Sequence, residues 1–297
     1  WRSSSQWLGG LFFLFFLIII FSNKSFNFKM TNLTYSGDNN FNSEDNIKDN
    51  LIRIFIIYSF LSIGILSLLN LSGLRLFNSL NLSMTLISGG GFLPTETINK
   101  IISTNFQKII LIFSFLISLL NIYVLFNLFN KNILIKEHKE DLYLIAISIF
   151  FCLLIYFNNY NGLDIIISVT SSLANSGLTL MESDNNLSLY FLLISIIGGS
   201  IISNSSGIKF TRFYILLKIT SSEIIKLISP NSIVNKTIFG SDKKISDEHV
   251  KISFLIFISF FLSLFILSSL LVVDNIGFEK SFKLSILTLT NTVNSEM

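Results

Sequence analysis

The chain has 297 residues, of which 51% are hydrophobic and only 13% are charged. Soluble domains carry about 25% charged residues, so this composition excludes a soluble enzyme fold. The net charge of +3 is too small to indicate a nucleic-acid partner, and the single cysteine, Cys152, excludes a disulfide within the chain and a multi-cysteine metal site.

Long apolar segments recur along the chain, and about 20 apolar residues suffice to span a bilayer as a helix. These segments do not alternate apolar and polar residues as membrane strands do. We therefore predict an all-α polytopic membrane protein whose partner is the lipid bilayer, with long helices at 3–21, 51–72, 105–130, 142–158, 188–218 (interrupted) and 252–273.

Three shorter apolar segments, 74–88, 163–175 and 278–292, lie between the long ones. They are too short to span a bilayer and are typical of re-entrant helices. Each ends in a small, polar turn: SGGGF at 88–92, NSG at 175–177 and NSE at 294–296. This recurrence predicts repeated membrane helix–pore helix/loop–membrane helix units around a central pore.

The repeat divides the chain into six parts. Of the 21 Lys and Arg residues, 14 fall in the stretches 22–53, 131–141 and 212–251, which we therefore place in the cytoplasm. Since the chain begins at Trp1 and ends inside an apolar segment, we expect it to be an internal part of a longer protein. The expected parts are the last helix of repeat 1 (1–33), a cytoplasmic linker (34–50), repeat 2 (51–130), repeat 3 with an interrupted second helix (131–229), a cytoplasmic linker (230–250) and the start of repeat 4 (251–297).

The polar turns are candidate ion ligands. A cation that enters a membrane must exchange its hydration shell for protein oxygens, and glycine allows backbone carbonyls to line a narrow axis. The C-terminal end of each short helix also favours a positive charge. The alternative is that these are ordinary loop turns. The candidate filter residues are Ser88, Gly89, Gly90, Gly91, Asn175, Ser176, Gly177, Asn294, Ser295 and Glu296.

The interruption at 198–207 places small and polar residues between two apolar halves of one helix. Freed backbone groups at that depth should be buried in protein or face a pore. Packing of small residues between helices and snorkelling of Lys209 are the alternatives. The candidate gating residues are Gly198, Gly199, Ser200, Ser203, Asn204, Ser205, Ser206, Gly207, Lys209 and Arg212.

Four stretches resemble the TrkH/KtrB-type potassium uptake transporters: WRSSSQWLGGL (1–11), SGGGF (88–92), NSGLT (175–179) and IGGSIISNSSGIKFTRF (197–213). The resemblance implies four repeats around a pore, K+ as the transported ion and a selectivity filter gated by an intramembrane loop. It also implies a homodimer in the cell inner membrane with a cytoplasmic, TrkA-type nucleotide-binding regulatory subunit.

The last turn departs from the family pattern, which typically is NxGPG. Aligning NSE on NSG places Glu296 where the family has its fourth filter glycine. This leaves a Na+ or Na+/K+ transporter of the same fold as an alternative, together with a secondary transporter with broken helices and a membrane scaffold. An intramembrane enzyme would need a His, Asp or Cys constellation that the sequence does not supply, so we expect no catalytic activity.

Overall fold

The computed structural model describes residues 1–22, 47–95, 97–122, 139–157, 161–180, 185–230, 236–239 and 244–292. Within these ranges the chain forms helices and one pair of two-residue strands. The helices are α1 (Arg2–Ser22), α2 (Ile47–Leu71), α3 (Leu76–Ser88), α4 (Asn105–Leu119), α5 (Lys139–Tyr156), α6 (Gly162–Leu173), α7 (Asn185–Ile196), α8 (Phe210–Ile228), α9 (Asp247–Val273) and α10 (Phe278–Leu289), with a 3-10 turn at Ile98–Lys100.

The three predicted short helices are confirmed as α3, α6 and α10. Each packs against the long helix that precedes it in the chain: α3 on α2, α6 on α5 and α10 on α9. Each also packs on a helix of the preceding unit: α3 on α1, α6 on α4 and α10 on α7. Each short helix therefore packs between two successive units, and the predicted all-α architecture of repeated units is confirmed.

Helix starts follow local capping chemistry at two places. At the start of α4, Thr104 accepts a hydrogen bond from the backbone N–H of Gln107, whose side chain accepts one in return. The same reciprocal arrangement joins Ser246 and His249 at the start of α9. Both arrangements satisfy N–H groups that have no partner within a helix.

The outer surface is apolar, as a bilayer requires. On α9 the side chains of Phe254, Leu262 and Phe265 are more than half exposed, while few residues of this helix are buried. Among the described residues, two helices are by themselves long and apolar enough to cross a membrane: residues Leu51–Leu71 of α2, and α9.

The interior holds many serine and threonine hydroxyls. Most bond a carbonyl of their own helix; for example, Ser114 Oγ donates to the carbonyl of Ile110 at 2.8 Å and Ser285 Oγ to that of Ser281 at 2.7 Å. These bonds keep polar groups satisfied where water is scarce. A partly buried ion pair between Lys108 and Asp164, with 2.6 Å between Nζ and Oδ1, joins α4 to α6.

The described part of the second linker packs against the helices. Thr237 and Lys244 form an antiparallel bridge, and Phe239 is 8% exposed. Its ring stacks on Tyr214 with 4.3 Å between centroids and contacts Phe210 and Tyr143. This segment is thereby fastened to the start of α8, which follows directly on the interrupted part of the chain.

Candidate functional site

The three short helices end in the same backbone geometry. In each, the first residue after the last turn has a positive φ and lies 13 residues after the start of its helix: Gly89 (φ 66°), Asn175 (φ 56°) and Asn291 (φ 56°). Asparagine tolerates this left-handed region better than most side chains.

The backbone hydrogen bonds repeat as well. The N–H of each positive-φ residue donates to the carbonyl three residues earlier, and the next N–H donates to the carbonyl five residues before it. This is the Schellman ending of a helix, which satisfies carbonyls that have no helical partner. The three pairs of donors, with the second distance of each pair between 2.8 and 3.0 Å, are Gly89 and Gly90, Asn175 and Ser176, and Asn291 and Thr292.

The turns lie against one another in chain order. Gly91, the second residue after Gly89, lies so close to the carbonyl oxygen of Ser176 that a Cβ atom would overlap it. Gly177, the second residue after Asn175, meets the carbonyl oxygen of Thr292 in the same way. Both glycines have positive φ, so their positions exclude a side chain on conformational and steric grounds alike. The partly negative C-terminal ends of α3, α6 and α10 therefore meet in one region.

Side chains from outside the turns hold them in place. Gln6 Nε2 of α1 donates to the carbonyl of Gly90 at 2.7 Å. Asn175 Nδ2 donates to the carbonyl of Ser195, near the end of α7, at 2.6 Å. Gln6 was not among the predicted site residues, although it lies in the WRSSSQW stretch; its contact is 84 residues away in sequence.

The predicted filter residues of the last turn, Asn294, Ser295 and Glu296, lie outside the described residues. The geometry gives another register: Asn291 and Thr292 occupy the places of Asn175 and Ser176, three residues earlier than the alignment of NSE on NSG.

In the structure the apolar segment 188–218 contains the end of α7 and the start of α8, which are separated by a loop at 199–207. The strands β1 (Ile197–Gly198) and β2 (Ile208–Lys209) flank this loop and pair in parallel, with Ile197 opposite Ile208 and Gly198 opposite Lys209. The loop is fastened to the end of α4, since the N–H of Ser200 donates to the carbonyl of Leu119 at 3.1 Å.

The side chain of Lys209, in β2, reaches into this loop. Its Nζ donates to the carbonyls of Ser203 at 2.9 Å and Ser205 at 2.7 Å, and to the hydroxyl of Ser203 at 3.1 Å. The ammonium group thus neutralises carbonyl dipoles that the loop turns towards its own centre. This geometry excludes simple snorkelling, because the charge is held by the loop itself.

The loop has a second anchor at the start of α5. Glu140 Oε1 accepts a hydrogen bond from Thr211 Oγ1, at the start of α8, and Glu140 also bonds the backbone N–H of Ile201. Arg212, the next residue of α8, is half-buried. Glu140 also interacts electrostatically with Lys209. The sequence analysis did not predict Glu140 as a site residue.

The chemistry available at the described part of the three turns is that of neutral oxygen atoms. Among the described residues, no group of three or more His, Cys, Asp and Glu side chains could hold a metal ion. The turns offer backbone carbonyls and the buried hydroxyls of Ser176 and Thr292, which are ligands that alkali cations accept.

No protein-family model matches the sequence. The sequence is 27% identical over 251 residues to an uncharacterized cation transporter of Methanocaldococcus jannaschii, an alignment that covers 79% of this chain and 49% of the relative. The fold is similar to the crystal structure of the potassium transporter TrkH from Vibrio parahaemolyticus, with a TM-score of 0.83 and 19% identity, over 99% of this chain and 64% of that one. The chain thus spans about half the length of its archaeal relative. Together with the repeated units and the interrupted helix, this confirms the resemblance found in the sequence: the chain has the all-α membrane fold of the TrkH-type transporters.

Proposed function

We propose that this chain is the conducting part of a potassium uptake transporter. Cations pass between the turns that follow α3, α6 and α10, which together with a corresponding turn of the first repeat form a selectivity filter. The observation that supports this most directly is the serial contact of the turns, in which Gly91 meets the carbonyl of Ser176 and Gly177 meets that of Thr292.

The filter as proposed binds K+ without a fixed negative charge. Carbonyl and hydroxyl oxygens replace the hydration shell, and three helix C-termini add a partial negative potential. Neutral ligands bind weakly enough for the ion to leave again, which conduction requires. The membrane potential then favours the inward movement of each K+ by about 2.3 kcal/mol per 100 mV.

The loop at 199–207 is the proposed gate. It follows α7. The side chain of Lys209 bonds the loop from within, and from outside Glu140 bonds the N–H of Ile201 and the carbonyl of Leu119 bonds the N–H of Ser200. In this arrangement the loop is the closed element, and ions pass when it moves aside. The proposed gate comprises the predicted residues from Gly198 to Gly207, with Lys209 as its internal tether.

The remaining expectations are part of the same proposal. The protein is a homodimer in the cell inner membrane, it works with a cytoplasmic TrkA-type nucleotide-binding subunit, and its segments are arranged as the sequence analysis divides them. It conducts ions and catalyses no reaction. The fold shared with a potassium transporter supports these points.

Flux through the purified full-length protein tests the proposal. In proteoliposomes with a K+ gradient and no Na+ or H+ gradient, we expect K+ to leave the vesicles at a rate that follows the membrane potential. K+ flux that requires a second ion gradient would instead support a secondary transporter, and Na+ flux that exceeds K+ flux would support a Na+ transporter of the same fold. The matched control is Gly177→Asp, which places a side chain and a charge in the proposed filter and should abolish selective flux.

A further inference from the structure

The four polar residues Ser203–Ser206 divide their contacts between two sides of the loop. Ser203 and Ser205 turn inward: their hydroxyls lie 2.9 Å apart, and Ser205 Oγ accepts the N–H of Gly199 at 2.7 Å. Asn204 and Ser206 turn outward.

The outward pair bonds to two of the short helices. Asn204 Nδ2 donates to the carbonyl of Ile87, in the last turn of α3, at 2.8 Å. Ser206 Oγ donates to the carbonyl of Thr290, at the end of α10, at 2.5 Å. The contacts join residues 117 and 84 positions apart in sequence. Ile87 lies two residues before Gly89 and Thr290 lies directly before Asn291, the positive-φ residues of the proposed filter.

Both acceptors are carbonyls at the C-terminal end of a helix. The last four carbonyls of a helix have no N–H partner within it, and they carry the partial negative charge of its C-terminus. When Asn204 and Ser206 donate to these two carbonyls, the partial negative charge of the helix ends is engaged in hydrogen bonds to the loop. When the loop withdraws, the same carbonyls are free to accept from water or to face a cation.

We propose that Asn204 and Ser206 are positioning residues that couple the gate to the filter. In the closed arrangement their hydrogen bonds hold the ends of α3 and α10, and the movement of the loop that opens the pore also releases these two ends. Opening therefore changes the filter itself, and the ion preference of the protein depends on whether the loop is engaged. This inference rests on the proposed function.

The test uses the full-length protein in planar bilayers, with Asn204→Ala and Ser206→Ala made singly and together. Each substitution removes one hydrogen bond of the closed arrangement, so we expect the ratio of open to closed time to rise about fivefold for each and about 25-fold for both. The K+/Na+ permeability ratio, measured from the reversal potential, should shift in the same variants. Ser206→Thr retains the hydroxyl and should restore wild-type behaviour.

The control is Ser269→Ala, since Ser269 is exposed on α9 and donates to the carbonyl of Ile266 in its own helix. It should leave opening and permeability unchanged. Faster opening with an unchanged permeability ratio in both single variants would overturn the coupling while leaving the gate intact. Wild-type opening in both variants would overturn it as well. A wild-type protein that conducts no cation would instead refute the proposed function on which the inference rests.

Discussion

Replacing Gly177 by alanine tests the proposed filter at its most constrained position. Gly177 has a φ of +66°, where an alanine is strained, and its Cβ would lie 2.5 Å from the carbonyl oxygen of Thr292. Ordinary contacts of this kind begin at 3.4 Å. The turn after α6 and the turn after α10 must therefore separate by most of an ångström, or Gly177 must leave the left-handed region.

The magnitude follows from the cost of such strain. A residue held in a sparsely populated backbone region costs about 1–3 kcal/mol, and a difference of about 1.4 kcal/mol corresponds to a factor of ten in an equilibrium. If about 2 kcal/mol of this strain is relieved by rearranging the filter, selective K+ binding weakens by roughly 30-fold. We therefore expect the K+/Na+ permeability ratio of Gly177→Ala to fall by about that factor.

The assay is the reversal potential under bi-ionic K+ and Na+ conditions, with the full-length protein reconstituted in a planar bilayer. Gly64→Ala is the matched control, because Gly64 lies within α2 and an added Cβ there meets no atom within 4 Å. The control should keep the wild-type ratio. If Gly177→Ala and Gly64→Ala both retained the wild-type permeability ratio, Gly177 would not be a filter residue and the contact with Thr292 would serve packing alone.

Three further predictions test other parts of the structure. Lys209→Met removes the ammonium that bonds the loop carbonyls, so Rb+ flux into vesicles should rise, and an unchanged or lower flux would contradict the tether. Lys108 and Asp164 form a partly buried ion pair, so Asp164→Asn leaves the lysine without its partner and should lower the thermal stability in detergent more than the double variant Lys108→Met/Asp164→Asn does. The coupling energy between the two positions should be about 1 kcal/mol. Additive effects of the two substitutions would show that the pair contributes nothing to stability. Thr292→Ala should alter ion selectivity and Glu296→Gln should not, and the reverse result would restore the register with Glu296 in the filter.

The fold could be predicted because it depends on local patterns. Apolar segments of bilayer length predict long helices, and shorter ones that end in small polar residues predict helices that turn back. These patterns placed α3, α6 and α10 within a few residues of their observed bounds. The gap in the helix at 198–207 was also evident, since glycine and polar residues interrupt an apolar run.

Contacts between distant segments could not be predicted in this way. Gln6 and Glu140 look like ordinary polar residues at helix starts, yet each bonds a backbone or side-chain group on another unit. His249, in a charged stretch, is only 5% exposed and caps the start of α9. The pairing of β1 with β2 could not be predicted either, because these four residues show no strand pattern in the sequence. Such contacts arise from the way the units pack, and periodicity carries no information about them.

The position of the last turn shows which property of a sequence determines a backbone geometry. Matching the letters of NSE to NSG ignores the length of the helix that precedes them. The helices α6 and α10 both have 12 residues, and counting from their first residues equates Asn175 with Asn291. A turn that must reach the same region can begin only where its helix ends, so the helix length constrains the register more strongly than the identity of two polar residues.

In this register the position that corresponds to Gly177 is Val293, a residue without ionisable groups. Thr292, whose carbonyl meets Gly177, would then contribute neutral oxygens to the proposed filter. The proposed K+ pathway consequently requires no carboxylate from Glu296, in keeping with a filter that binds its ion weakly enough to release it.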